Sequence, residues 1–229
     1  MFKQAASGSD PAVAARSYAG LAALDPARAE EYYSSGLKAE EKASGKDHSR
    51  VAVFLNNLAL ALRARGDNAS AEPLLRRALA IHEKGLGPDH AAAASTLNNL
   101  GSLLQSTGRL AEAERAERRA LRIFEQKLGP ESMELAITCS NLADLEWSKG
   151  DQAAAESLYR RALSIDESVY GPDHPEVAAD LANLGLLLKE SGKPTQADPL
   201  LRRALAIYEK ELGPDSDPAR KIRESLIQR

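Results

Sequence analysis

A period of 42 residues runs through most of this chain and restricts the folds that it can adopt. Four Gly-Pro pairs follow one another at this interval, beginning at Gly87, Gly129, Gly171 and Gly213. The same interval separates the Arg-Arg-Ala-Leu runs that begin at Arg76, Arg118, Arg160 and Arg202. It also separates the members of two further sets, Asn57, Asn99, Asn141 and Asn183, and Gly66, Gly108, Gly150 and Gly192. Periods of about 20 to 50 residues are typical of solenoids, propellers and arrays.

Each repeat is predicted to fold as two antiparallel helices. In the repeat that starts at Gly87, apolar residues recur at helical spacing before and after Gly108. Glycine tolerates a positive φ, which lets the chain reverse at Gly108, and Gly-Pro then ends the second helix. We expect Asp89 and Asp173 to cap the helices that follow, Asp173 forming a capping box with Glu176.

The positions of small and apolar residues resemble those of tetratricopeptide repeats. In the repeat that starts at Gly87, the second of the four 42-residue repeats, the signature positions hold Leu100, Gly101, Gly108, Ala113 and Ala120. A usual unit has about 34 residues, and the longer unit here, with Leu-Gly-Pro-Asp-His in its connection, resembles those of kinesin light chains and their bacterial relatives. The heptad-rich arm of kinesin light chains has no counterpart, so no motor subunit is predicted.

The resemblance implies an all-α fold, a right-handed superhelical solenoid of stacked antiparallel helix pairs. We expect a single solenoid domain over residues 1–229. Its predicted parts are a degenerate N-terminal repeat at 10–44, repeats at 45–86, 87–128, 129–170 and 171–212, and a C-terminal capping helix at 213–229. A polar terminal helix is what a repeat array needs to cover its last apolar face.

One asparagine recurs in every first helix. Asn99 points away from the apolar face formed by Leu97, Leu100 and Leu104. First helices line the concave surface of tetratricopeptide solenoids, so the resemblance places an asparagine ladder, defined as Asn57, Asn99, Asn141 and Asn183, along an inner groove. A carboxamide has two donors and an acceptor, which suits pairing with the main chain of an extended peptide. The alternative is that these residues brace neighbouring helices.

The predicted peptide-binding set extends beyond the ladder to its neighbours on the same helices. These are Asn56, Asn98, Ser95, Ser102, Ser106, Ile137, Asp144, Leu60 and Leu186. Their mixed character suits selective side-chain pockets, and flanking Arg63, Gln105, Trp147 and Lys189 leave the charge of the ligand open. Trp147 is either a binding hot spot or a packing residue between repeats.

The histidines and the single cysteine do not predict chemistry. His48, His90 and His174 occupy one position in different repeats, so they cannot converge on an ion with ligand distances of about 2 Å. His82 is predicted to lie at the surface. Cys139 takes the place of a leucine in the other repeats and is predicted to be a small buried hydrophobe. We therefore predict no metal, no cofactor, no catalytic residues and no enzyme activity.

Charge and hydropathy disfavour nucleic acid and membranes as partners. A net charge of -3, from 33 acidic and 30 basic residues, provides no field that would gather polyanions. An acidic residue precedes each Arg-Arg pair by four positions, which predicts helix-supporting ion pairs instead of a phosphate track. No apolar stretch reaches the roughly 20 residues of a membrane helix.

The predicted function is a non-catalytic scaffold for protein–protein interaction that binds an extended peptide or protein segment in the concave groove. Two alternatives remain, a self-assembling structural element and a regulatory or sensor module of a larger protein. We predict a monomer in the cytoplasm, unless a targeting segment has been removed from the chain.

Overall fold

The computed structural model describes residues 10–227, and these residues form paired helices. Unit 1 contains α1 (Pro11–Leu24), α2 (Ala29–Ser44), α3 (Ser49–Ala64), α4 (Asn68–Leu86), α5 (Ala91–Ser106) and most of α6 (Leu110–Lys127). Unit 2 contains α7 (Met133–Ser148), α8 (Gln152–Tyr170), α9 (Pro175–Glu190), α10 (Pro194–Leu212) and α11 (Asp217–Ile227). A short 3-10 turn, Pro26–Arg28, joins α1 to α2. No strand occurs between residues 10 and 227.

Between residues 10 and 227 the helices form two compact units, divided between Ile123 and Phe124. In unit 1, α1 packs on α2 and α3 on α4, while α2 contacts α3 and α4 contacts α5. In unit 2, α8 contacts both α7 and α9, and α10 contacts both α9 and α11. Each hairpin is therefore stacked on the next one within its unit, which confirms the all-α fold of stacked helix pairs.

Alanine lines the second helix of each repeat where it meets its neighbours. In the four 42-residue repeats, two alanines seven residues apart are buried in this helix, at Ala71 and Ala78, Ala113 and Ala120, Ala155 and Ala162, and Ala197 and Ala204. Larger apolar residues fill the space around them, and those of unit 2 include Tyr159, Leu181 and Leu201. Small side chains at these places allow the helix backbones to approach closely.

Glycines with positive φ end the helices, as predicted. The chain reverses after α5 at Gly108, whose φ is 78°, and leaves α8 at Gly171, whose φ is 84°. An L-residue with a Cβ rarely adopts this conformation, which explains the regular recurrence of glycine.

Histidine, and not the preceding aspartate, caps three of the first helices. Nδ1 of His48, His90 and His174 accepts a hydrogen bond from the backbone N–H two residues later, at 3.2, 3.1 and 3.2 Å. The expectation that Asp89 and Asp173 are caps, the latter in a capping box, is wrong. Histidine can replace aspartate here because Nδ1 and a carboxylate oxygen lie the same number of bonds from the backbone.

The two arginines of each Arg-Arg pair have different partners. The first forms the predicted ion pair within its helix, as Arg160 does with Glu156 at 2.9 Å. The second reaches back to the preceding hairpin, where Arg203 bonds Glu167 at 2.6 Å and the carbonyl of Pro172 at 2.7 Å. The second arginine therefore joins consecutive repeats, a role that the sequence reasoning missed.

In each unit, polar side chains are buried where the second helix of one repeat contacts the first helix of the next repeat. His82 on α4 is only 5% exposed, and its Nδ1 lies 3.2 Å from Oγ1 of Thr96 on α5. The prediction of a surface His82 is wrong, because this side of α4 is covered by the next hairpin. Burial lowers the pKa of His82.

The corresponding place in unit 2 holds two acids, Asp166 on α8 and Asp180 on α9. They are 8% and 4% exposed, and Ser140 donates a hydrogen bond of 2.9 Å to Oδ1 of Asp180. Burial, reinforced by the neighbouring Asp166 carboxyl, raises the pKa of Asp180 to about 7. Burial also raises the pKa of Asp166, although its hydrogen bond with Asp180 opposes this. The pair therefore retains a proton into the neutral range.

The buried acid pair makes stability fall as pH rises. The pKa of Asp180 is raised to about 7 in the folded protein, from about 4 in the unfolded chain. The protonated carboxyl therefore contributes fully to the free energy of unfolding below about pH 4, and this contribution is lost as the pH rises from about 4 to about 7. Threonine stands at the equivalent positions 96 and 138. We expect Asp180→Thr to raise the melting temperature relative to wild type more at pH 8 than at pH 5. Equal differences at both pH values in thermal scans would contradict this.

Two glycines within helices are expected to respond oppositely to alanine. A Cβ at Gly185 would lie 2.7 Å from Cγ and Cδ2 of buried Leu201, whereas one at Gly85 would meet nothing within 4 Å. Gly185→Ala should lower the free energy of unfolding by about 1–3 kcal/mol through overpacking. Gly85→Ala should raise it by about 0.5–1 kcal/mol through helix propensity. Urea denaturation followed by circular dichroism measures both, and changes of the same sign would refute the packing argument.

Candidate functional site

The first-helix face of each unit consists of the predicted peptide-binding residues on its first helices, which are α3 and α5 in unit 1 and α7 and α9 in unit 2. Exposed members are Leu60, Ser95, Ser106 and Ile137. Half-buried members are Asn56, Asn57, Asn99, Ser102, Asn141, Asp144, Asn183 and Leu186. These residues are thus at least partly accessible within their own units. Asn98 differs, since it is only 8% exposed; the expectation that it lies on this face is wrong, because one residue turns the side chain by about 100°.

In unit 1 the face is held together by hydrogen bonds between α3 and α5. Nδ2 of Asn99 donates to Oδ1 of Asn56 at 2.9 Å. Arg63 donates to Oγ of Ser102 at 2.9 Å and to the carbonyl of Asn99 at 3.5 Å. Burial lowers the pKa of Arg63, and the charge of Glu117 opposes this. Asn99 therefore braces neighbouring helices, as the alternative to ligand contact predicts.

Asn57 has a different environment from Asn99. Its half-buried carboxamide has no hydrogen-bond partner among the described residues. It opens, together with Leu60, onto a cavity of about 410 Å³. The other lining residues come from α1, the turn after it, α2 and the end of α3, and they are Ala22, Pro26, Ala27, Ala29, Glu30, Tyr33, Ala61, Ala64 and Arg65. Glu30 and Arg65, two of these lining residues, form an ion pair.

In unit 2 the face carries a cluster of Asp144, Trp147 and Tyr159. Tyr159 on α8 is fully buried, and its hydroxyl donates to Oδ1 of Asp144 on α7. The ring of Trp147 meets that of Tyr159 edge to face, with centroids 6.4 Å apart. Burial raises the pKa of Asp144, and the hydrogen bond from Tyr159 acts in the opposite direction.

The face of α9 adjoins the terminal helix α11. Asn183 is half-buried, and no hydrogen bond to its side chain is found among the described residues. Lys189 donates to the carbonyl of Ser225, which draws its ammonium group towards α11. Leu186 and Lys189 line one side of a cavity of about 750 Å³ whose other side includes Lys221 and Glu224.

Two contributors to this site were missed in the sequence, although both leave a signal there. Tyr159 and Glu117 occupy the second-helix position that holds leucine at Leu75 and Leu201. Glu117 is 1% exposed, and a Cβ on Gly101 would lie 2.5 Å from its Oε1. The available signal was a residue with a polar group at a position that holds leucine in two other repeats.

Metal-ligating side chains, the single thiol and the apolar character of the helices each bear on a sequence-based expectation. Between residues 10 and 227 no group of three or more His, Cys, Asp or Glu side chains is placed to hold a metal ion. Cys139 is buried, as predicted, and burial raises its pKa to about 11. No helix in that part of the chain is long and apolar enough to cross a membrane.

Comparison with known proteins agrees with this geometry. A family model described as tetratricopeptide repeat matches residues 13–84, 50–126, 94–168 and 134–210. The solved TPR-like repeats described as those of a kinesin light chain from Podosopora anserina are similar, with a TM-score of 0.72 and 22% identity over 90% of this chain and 99% of that chain. BtubC (BKLC) from P. vanneervenii gives 0.67 and 21% over 95% and 94%.

Sequence identities this low show a similar fold and nothing more. The predicted resemblance to the repeats of kinesin light chains is confirmed as a resemblance of fold. A search of curated proteins found no match.

Cys139 is expected to be unreactive in the folded protein. Its thiol is buried and has a pKa of about 11, so little thiolate is present or accessible at pH 8. Iodoacetamide at pH 8 should leave the native chain unmodified and should alkylate it fully in urea, as mass spectrometry would show. Rapid modification under native conditions would contradict the assignment of Cys139 to the core.

Proposed function

The chain belongs to the tetratricopeptide repeat family, and from this premise we propose that it is a non-catalytic scaffold that binds an extended peptide or protein segment along the first-helix face of each unit. Repeats of this family generally mediate protein–protein interaction. The finer proposal concerns the kind of ligand and the residues that hold it.

The observation that carries the proposal is the pair of half-buried carboxamides at Asn57 and Asn183. Neither makes a side-chain hydrogen bond to another described residue. A carboxamide can donate to a carbonyl and accept from an N–H of one extended main chain, independent of that chain's sequence. An amide that is partly withdrawn from water and lacks a protein partner gains from such pairing.

The asparagine ladder is not uniform. Asn99 is already engaged by Asn56, at 2.9 Å, so it contributes to the stacking of α5 on α3 as well as to the face. Asn57, by contrast, adjoins the cavity beside Leu60. We therefore assign main-chain recognition in unit 1 chiefly to Asn57, with an apolar ligand side chain filling the neighbouring cavity.

The terminal helix favours a scaffold over an end-to-end assembly. Ala219 and Ile222 of α11 are buried against the last hairpin. Arg220, Lys221 and Glu224 of the same helix are exposed. A charged outer surface of this kind is what a solenoid needs at an end that does not stack on another copy.

Adjacent asparagines provide a matched test of ligand contact. Peptides selected by the whole chain from a random linear phage library would be synthesised and titrated by calorimetry. Asn57→Ala should weaken binding about threefold to tenfold, the value of one or two lost hydrogen bonds, with an unchanged melting temperature. Asn56→Ala should lower the melting temperature, because its bond to Asn99 joins α3 to α5, and should change affinity less than Asn57→Ala.

Two results would reject these assignments. Full affinity in Asn57→Ala and in Asn183→Ala would reject recognition through the ladder. Failure of the library to yield any peptide that binds the chain would reject the peptide-binding scaffold itself.

A further inference from the structure

Asp144 in unit 2 is a partly buried carboxylate without a basic partner. Its Oδ1 accepts the Tyr159 hydroxyl, and no ion pair to Asp144 is found among residues 10–227. Glu156 on α8 of the same unit, by contrast, lies 2.9 Å from Arg160 and 2.8 Å from Lys193. The charge of Asp144 is therefore available on the first-helix face.

The position of Asp144 is acidic in one repeat only. The equivalent residues of the other three clear repeats are Leu60, Ser102 and Leu186. Ser102 already accepts from Arg63 at 2.9 Å, and the two leucines are apolar. A charged ligand group would therefore be selected at α7 and not at the equivalent places.

Trp147 adds an aromatic surface beside this carboxylate. The two residues are three positions apart on α7, so their side chains are neighbours on one helix face. Trp147 is half-buried and is held edge to face against Tyr159, with centroids 6.4 Å apart. Tyr159 contacts Asp144 through its hydroxyl and Trp147 through its ring. The carboxylate and the indole therefore lie next to each other on the first-helix face.

We propose that Asp144 and Trp147 form a recognition site for a lysine or arginine side chain of the bound peptide segment. The proposal rests on the proposed function, since it names the chemistry of one ligand side chain. The carboxylate supplies the opposite charge, and the indole ring offers the face that attracts cations most strongly among aromatic side chains.

Partial burial strengthens the case for a cationic ligand. Withdrawal from water raises the pKa of Asp144, which means that its charged form is destabilised in the unbound protein. A ligand cation would restore the stabilisation lost with water. Lys189, the flanking cation on the next first helix, donates instead to the Ser225 carbonyl in α11.

The test uses the whole chain and three blocked nonapeptides of alternating alanine and serine. Their central residue is arginine, citrulline or glutamate, and citrulline has nearly the shape of arginine without its charge. Trp147 is the only tryptophan in the sequence, so its emission reports binding at this site during titration to millimolar peptide. We expect the arginine peptide to bind about fivefold to tenfold more tightly than the citrulline peptide, and the glutamate peptide to bind most weakly.

Two variants separate the local charge from the overall charge. Asp144→Asn removes the charge but keeps an oxygen acceptor for Tyr159, and it should reduce the arginine preference to about twofold. Asp89→Asn removes one charge from an exposed residue in a connection between helices and should leave the preference unchanged. Thermal melting of each variant would establish that it remains folded.

Several outcomes would overturn the proposal. These are equal affinity for the arginine and citrulline peptides, tighter binding of the glutamate peptide, an unchanged preference in Asp144→Asn, or no response of Trp147 to any of the three. Such results would leave the scaffold function standing if library-selected peptides still bind and lose affinity in Asn57→Ala. Loss of both sets of binding would reject the scaffold function as well.

Discussion

The close approach of helices at small residues is the constraint on which the rest of this structure depends. Alanines such as Ala155 and Ala162 are fully buried where second helices meet their neighbours, and Gly185 leaves the space that Leu201 fills. Protein interiors are packed to near crystal density, so a larger side chain at these places would move the helices apart. One helical hairpin cannot bury both of its faces alone, and stacking therefore supplies the core.

The same stacking decides the environment of polar residues between hairpins. Arginine of the second helix reaches the preceding hairpin, as in the bond between Arg119 and Glu83 of 2.6 Å. Exposed pairs of this kind contribute little each, but they recur at every contact and match the register of the repeats. Between α8 and α9 the buried polar residues are the acids Asp166 and Asp180, whose raised pKa values make the free energy of unfolding depend on pH.

On the first-helix face, the repeats differ from one another in their side-chain chemistry. Asn99 is engaged by Asn56, whereas Asn57 lies open beside a cavity. At the next turn of these helices the chain carries leucine, serine, aspartate and leucine. The constant asparagine suits a ligand main chain, and the variable position suits its side chains. This division of roles connects the proposed scaffold function with recognition of a basic ligand residue at Asp144 and Trp147.

The sequence by itself determined the helical repeats, their turns, the family and the choice of candidate face, because period, glycine placement and apolar spacing are local properties of the chain. The tertiary structure decided which polar groups are engaged. Burial of His82 and Asn98, capping by His90, and the difference between Asn57 and Asn99 depend on what the adjacent hairpin or backbone brings within about 3 Å, the range of a hydrogen bond. Sequence spacing places a side chain on a face of its helix, but the partner opposite that face comes from another part of the chain.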